Sequence, residues 1–103
     1  MPYNMYGYNF EGAFVDPSDL EIESGVYLIH CKADDKWYVL DVGESQNVRE
    51  RVMTHDREDC WKTNCRGGVI HYSAHYMPNS TETERVLVEQ TIRQQANPIC
   101  GER

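Results

Sequence analysis

Two stretches of alternating side chains open the pattern. From Gly25 to Lys32, Val26, Leu28 and His30 alternate with Tyr27, Ile29 and Cys31, and Lys36 to Val42 repeats the period with aromatic and branched residues. A period of two is that of a β-strand. The short polar connector Ala33-Asp34-Asp35 between them predicts a β-hairpin. Gly43 ends the second run, and Ser45 or Asn47 can cap a helix carrying Val48, Val52 and Met53 on one side. Arg66-Gly67-Gly68 breaks the chain before a third strand, Val69 to Met77, rich in aromatic and β-branched residues. Pro78-Asn79 marks a turn, and Thr81 with Glu84 forms a capping box for a helix to about Gln95, stopped by Asn97-Pro98. Its Leu87, Val88, Thr91 and Ile92 are expected to face the sheet.

The first fourteen residues are rich in Tyr, Asn and Gly and show neither period clearly. They are expected to lie across the domain as an irregular arm, with Tyr3, Tyr6, Tyr8, Phe10 and Phe14 available to pack. The arm has no Lys or Arg, which favours packing over base stacking. Asp16-Pro17-Ser18 reads as a turn and Asp19 to Glu23 as an acidic surface segment. With 103 residues there is material for one core. The expectation is an α/β (α+β) domain with a small, mainly antiparallel three-stranded sheet flanked by helices, spanning residues 24–103 behind an arm of residues 1–23.

Charge narrows the function. Seventeen Asp and Glu against ten Lys and Arg leave a formal charge of -7, the wrong sign for gripping nucleic acid through the overall field. The basic residues are nonetheless clustered, with Arg49, Arg51, Arg57, Lys62 and Arg66 close in sequence. A phosphate responds to such a local concentration. No segment has the roughly 18 to 20 consecutive apolar residues of a membrane span, and no basic stretch followed by an apolar run opens the chain. The expected location is cytoplasmic, without a membrane partner. Among the cysteines, Cys60 and Cys65 are too loosely spaced for a zinc knuckle, Cys31 lies within a strand pattern, and Cys100 stands apart. Reduced thiols are expected.

Within this frame, Gly25-Val26-Tyr27 is followed by Asp41-Val42-Gly43, then by Arg51 and His55 four residues apart on the first helix, and by Glu89 on the last. Order and spacing resemble the GIY-YIG nuclease family over roughly residues 24 to 98. Tyr27 matches the tyrosine of the first family motif, Gly43 the glycine of the second, Arg51 the helix arginine and Glu89 the metal-binding glutamate. His55 fits a spacing seen in part of the family. Asp41 stands where the second tyrosine is usual, Glu44 where a basic residue is common, and Gly101 where a late asparagine is expected.

The resemblance implies a divalent-metal-dependent endonuclease that hydrolyses phosphodiester bonds in DNA. Tyr27 would accept a proton from water, aided by His55, or His55 itself would be the base. Arg51 would stabilise the developing charge, and Glu89 would hold Mg²⁺ or Mn²⁺, with Asp41 as a second candidate ligand. Arg49, Arg57 and Lys62 are candidate nucleic-acid contacts. One alternative is a module that keeps the fold without cleavage and binds nucleic acid or protein, and another is an acidic protein-interaction domain working beside a basic partner that supplies the nucleic-acid affinity. Without the resemblance, Tyr27 reads as a half-buried strand residue, Arg51 and His55 as a solvated helix face, and Glu89 as part of an Arg85–Glu89–Arg93 ion-paired stripe.

Overall fold

The structure, a computed structural model, describes residues 2–101. Its element order is β1 (Pro2–Met5), β2 (Tyr8–Phe14), a short 3₁₀ turn (Pro17–Asp19), β3 (Gly25–Ala33), β4 (Lys36–Ser45), α1 (Val48–Met53), α2 (Glu58–Thr63), β5 (Val69–Tyr76) and α3 (Glu82–Ala96). The strands form one antiparallel sheet in the order β1-β2-β5-β3-β4. The α+β class agrees with the expectation, but the sheet has five strands rather than three.

The two additional strands come from the segment expected to be an irregular arm. Tyr6 and Gly7 both take positive φ, 58° and 87°, which lets a two-residue turn follow the twist of its strands. Tyr3 then faces Phe10 and Met5 faces Tyr8 across the pair. The alternation Tyr3, Met5 and Tyr8, Phe10 is present in the sequence, but it is split by a turn that lacks an Asn-Gly or Asp-Gly signature. The expected hairpin between β3 and β4 forms, with Asp34 and Asp35 also at positive φ.

β3 is the central strand, and Gly25 through Cys31 are buried on both faces. Tyr27, Ile29 and Cys31 join Val48, Val52 and Trp61 in a core beneath α1 and α2. Val26 and Leu28 face the other way, toward Phe10, Val42 and Ile92, with Tyr3, Met5 and Val88 packed around them. On α3, Ile92 is buried as expected, but Leu87 is 64% exposed. The position facing β4 is taken instead by Arg85 and Arg93, both buried. The capping box forms as expected between Thr81 and Glu84.

The free edge of β4 is covered by the chain end. Ile99 and Cys100 donate backbone hydrogen bonds to Val39 and Leu40, and Arg93 donates to the Val42 carbonyl. An unpaired edge is thereby closed to other strands. The four cysteines form two disulfides, Cys31–Cys65 and Cys60–Cys100, which corrects the expectation of reduced thiols. Sequence separations of 34 and 40 residues hid both pairings. Such bridges persist in oxidising surroundings and open in reducing ones. Among the described residues, no helix is long and apolar enough to cross a membrane.

Candidate functional site

The β3–β4 pairing places Tyr27 directly opposite Gly43. The phenol lies across that glycine so closely that a Cβ at Gly43 would stand 2.1 Å from Tyr27 Oη and 2.3 Å from Cζ. Gly43 is therefore needed for space. The two residues of the separate sequence motifs act as one structural unit.

His55 follows the end of α1 and meets Tyr27 Oη through Nε2 at 2.7 Å. Its other nitrogen, Nδ1, accepts the Arg57 backbone N–H at 3.0 Å. A neutral imidazole accepting at Nδ1 carries its proton on Nε2, so His55 donates to the Tyr27 oxygen. Burial, reinforced by the charges of Arg51 and Arg57, holds His55 down to about 4. Burial also pushes the Tyr27 phenol up to about 12, with Arg51 and Arg57 pulling it down and Asp41 and Glu89 pushing it up. Both are neutral at ordinary pH. The pair is closely enclosed, Tyr27 being 1% exposed and His55 5%.

Arg51 and Glu89 flank this pair. Arg51 pairs with Asp56 at 3.1 Å, and its side chain is partly open to solvent. Glu89 Oε2 accepts from Arg93 Nε at 3.1 Å, while Oε1 has no hydrogen-bond partner among the described residues. Burial raises the Glu89 carboxyl above its usual range against the pull of Arg93. Of the Arg85–Glu89–Arg93 stripe only the Glu89–Arg93 pair forms, because Arg85 turns away. Arg85 Nε donates to Glu44 at 2.8 Å and Arg85 Nη1 to the Ser80 carbonyl. The negative charge of Glu44 is matched in place.

Asp41 is buried completely beneath the same cluster. Its oxygens accept five hydrogen bonds: Arg57 Nε at 2.7 Å and Nη2 at 3.2 Å, Trp61 Nε1 at 2.9 Å, Arg93 Nη2 at 3.0 Å and its own neighbour's Val42 N–H at 2.9 Å. Two guanidinium groups occupy the place where sharing a cation with Glu89 was expected. Burial works against the Arg57 charge, but Asp41 outweighs it and holds the guanidinium above its usual value. Gly101 closes over this group at a φ of 90°, where an added Cβ would lie 2.6 Å from Arg93 Nη2 and 2.8 Å from Asp41 Oδ1. An asparagine at that position would collide with the network.

Among the described residues, no group of three or more His, Cys, Asp or Glu side chains is arranged to hold a metal ion. Glu89 Oε1 offers one open oxygen. That fits the way Mg²⁺ is commonly held, by one or two carboxylates together with water and substrate phosphate. Of the basic candidates, Arg57 lies in the cluster. Arg49 Nε is instead tied to the Leu20 carbonyl at 2.7 Å, and Lys62 pairs with Glu58 at 3.4 Å on the exposed side of α2.

Trp61 and Arg93 complete the cluster and were not anticipated as site residues. They lie 20 and 52 residues from Asp41, and no local pattern links them to it. Comparison with protein-family models, curated proteins and solved structures gives no match in any of the three, so the cluster's chemistry is argued from its own residues.

Proposed function

We propose that this chain is a GIY-YIG-type domain that cleaves phosphodiester bonds in DNA at the Tyr27–Arg51–Glu89 cluster. The observation that carries the reading is the Tyr27 phenol, laid over Gly43 and bonded to His55, with Arg51 and Glu89 both near enough to act on its ionisation. In this mechanism a phosphate lies across Arg51 and Arg57, which are partly exposed and keep N–H groups free beyond their pairs with Asp56 and Asp41. The minor phenolate form of Tyr27, stabilised by the Nε2–H of His55, takes a proton from water. The water oxygen forms the new bond to phosphorus, the leaving oxygen departs with its electron pair and takes a proton from solvent, and Arg51 stabilises the extra charge on the phosphoryl oxygens. His55 is a positioning donor rather than the base. A Mg²⁺ or Mn²⁺ ion on Glu89, when bound, would supply further stabilisation of that charge.

The enclosure of Tyr27 and its pKa near 12 favour a second reading, a domain that binds nucleic acid or a protein without cleaving. A nuclease assay on duplex, branched and single-stranded DNA with Mg²⁺ or Mn²⁺ separates the two. Cleavage is expected to fall by orders of magnitude in Arg51→Ala and Glu89→Ala, since each removes charge stabilisation made in the transition state. Activity that survives a chelator would remove the metal role. Absence of cleavage on all three substrates would leave the binding module.

A further inference from the structure

On the face of the sheet away from Tyr27, residues of the N-terminal hairpin, β3 and β4 border an open cavity of about 360 Å³ lined by Tyr3, Met5, Ala13, His30 and Trp37. A second cavity of about 290 Å³ shares Met5, His30 and Trp37 and continues toward Tyr6 and Ala96. Each is close to or within the roughly 300 to 1,000 Å³ of small-ligand pockets, which are mostly apolar with a few placed polar groups.

The walls are aromatic and the polar group is specific. Trp37 is 48% exposed and rests against His30 and His71, with ring centroids 5.0 and 4.8 Å away. His30 is 4% exposed. Tyr3 Oη donates to Ser73 Oγ at 2.7 Å, and Ser73 Oγ meets His30 Nε2 at 3.1 Å. Ser73 is fully buried and Tyr3 already donates to it, so its own hydroxyl proton can be given to His30 Nε2, the arrangement in which the ring proton of His30 is on Nδ1. Among the described residues that N–H has no hydrogen-bond partner. Among the described residues the one buried side-chain nitrogen or oxygen without a partner is Arg93 Nη1, so this N–H is open to the two cavities that His30 lines. Lys32, opposite Trp37 in the β3–β4 pairing, places its ammonium 5.7 Å from the Trp37 ring centroid.

We propose that this cavity binds a nucleobase, with the ring against Trp37, an acceptor on its edge at His30 Nδ1–H, and its phosphate toward Lys32. A planar π-face suits an exposed tryptophan, an edge acceptor satisfies the idle imidazole donor, and an attached anion suits the lysine. The base comes either from a free nucleotide or from single-stranded nucleic acid. The site is separate from the Tyr27 cluster and does not depend on cleavage there.

Calorimetric titration of the full chain with adenosine 5′-monophosphate, adenosine, ribose 5-phosphate, tryptophanamide and a short oligo-dA strand tests this. Saturable binding of the nucleotide is expected, weaker binding of adenosine, and none of ribose 5-phosphate. Affinity should fall about tenfold in Trp37→Leu, which removes stacking, and by a similar factor in His30→Phe, which removes the donor. Arg51→Ala and Glu89→Ala, whose side chains do not line either cavity, should leave binding of the mononucleotide unchanged, so failure here is distinguishable from failure of the cleavage reading. Tighter binding of oligo-dA than of the mononucleotide, with the excess lost in Trp37→Leu and kept in Arg51→Ala, identifies nucleic acid as the source, and equal binding identifies the free nucleotide. The proposal is overturned if neither binds saturably, if both pocket variants bind as the parent does, or if tryptophanamide binds as tightly as the nucleotide.

Discussion

A carboxylate without contact to water is tolerable only where donors replace the lost hydration, and Asp41 has five of them, three of which come from two arginines far apart in sequence. Removing its charge would leave Arg57 and the almost fully buried Arg93 uncompensated. Asp41→Asn is therefore expected to lower stability by about 3 to 5 kcal/mol, the range for breaking a buried ion pair from one side, seen as a lower urea midpoint. Mn²⁺ affinity of the folded variant should match that of the parent. Loss of Mn²⁺ affinity at unchanged stability would instead make Asp41 a metal ligand. At this scale the sequence was informative where chemistry follows strand register. Tyr27 and Gly43 are recognisable as motif residues, and the sheet brings them into contact. It was silent on the partners of Asp41, because hydrogen bonds across 16 to 52 residues leave no periodic trace.

Elements were legible in proportion to their local signals. The β3–β4 hairpin, β5 and the capped α3 carry alternation, turn residues and a capping box, and all three form. The N-terminal hairpin was missed because its turn uses Tyr6, a residue seldom found at positive φ. The six-residue α2 was missed because it is shorter than an isolated helix can sustain and its Arg57 cap makes no side-chain capping bond. What holds α2 is tertiary: Trp61 lies in the core, Cys60 is bonded to Cys100, and Cys65 just beyond the helix is bonded to Cys31. Reduction is expected to destabilise the domain by about 2 to 4 kcal/mol per bridge. It should also shift tryptophan emission to the red as Trp61 becomes hydrated. Thermal unfolding followed by fluorescence with and without dithiothreitol provides the check, and unchanged midpoints and emission would show that core packing alone fixes α2.

For the whole molecule, the formal charge of -7 conceals an internal order in which each buried arginine meets a carboxylate, Arg93 with Asp41 and Arg85 with Glu44, while Arg51 stays partly open. Two enclosed histidines, one on each side of the sheet, make the fold sensitive to acid. Burial lowers both His30 and His55 from 6.5 to about 4, aided by His71 in the first case and by Arg51 and Arg57 in the second. As pH falls below about 6.5, the unfolded chain takes up these protons while the folded chain resists until about 4, so protonation favours unfolding. Stability from this source is complete above pH 6.5, declines between 6.5 and 4, and declines no further below that. At 1.36 kcal/mol for each pKa unit the loss is at most of order 3 kcal/mol per histidine. His30→Phe keeps a ring in the cavity but has no proton to gain, so its urea midpoint should fall less between pH 7 and 4.5 than that of the parent. An identical decline in both would mean that His30 titrates alike in the folded and unfolded chain, and the acid sensitivity would then rest on His55 and the carboxylates.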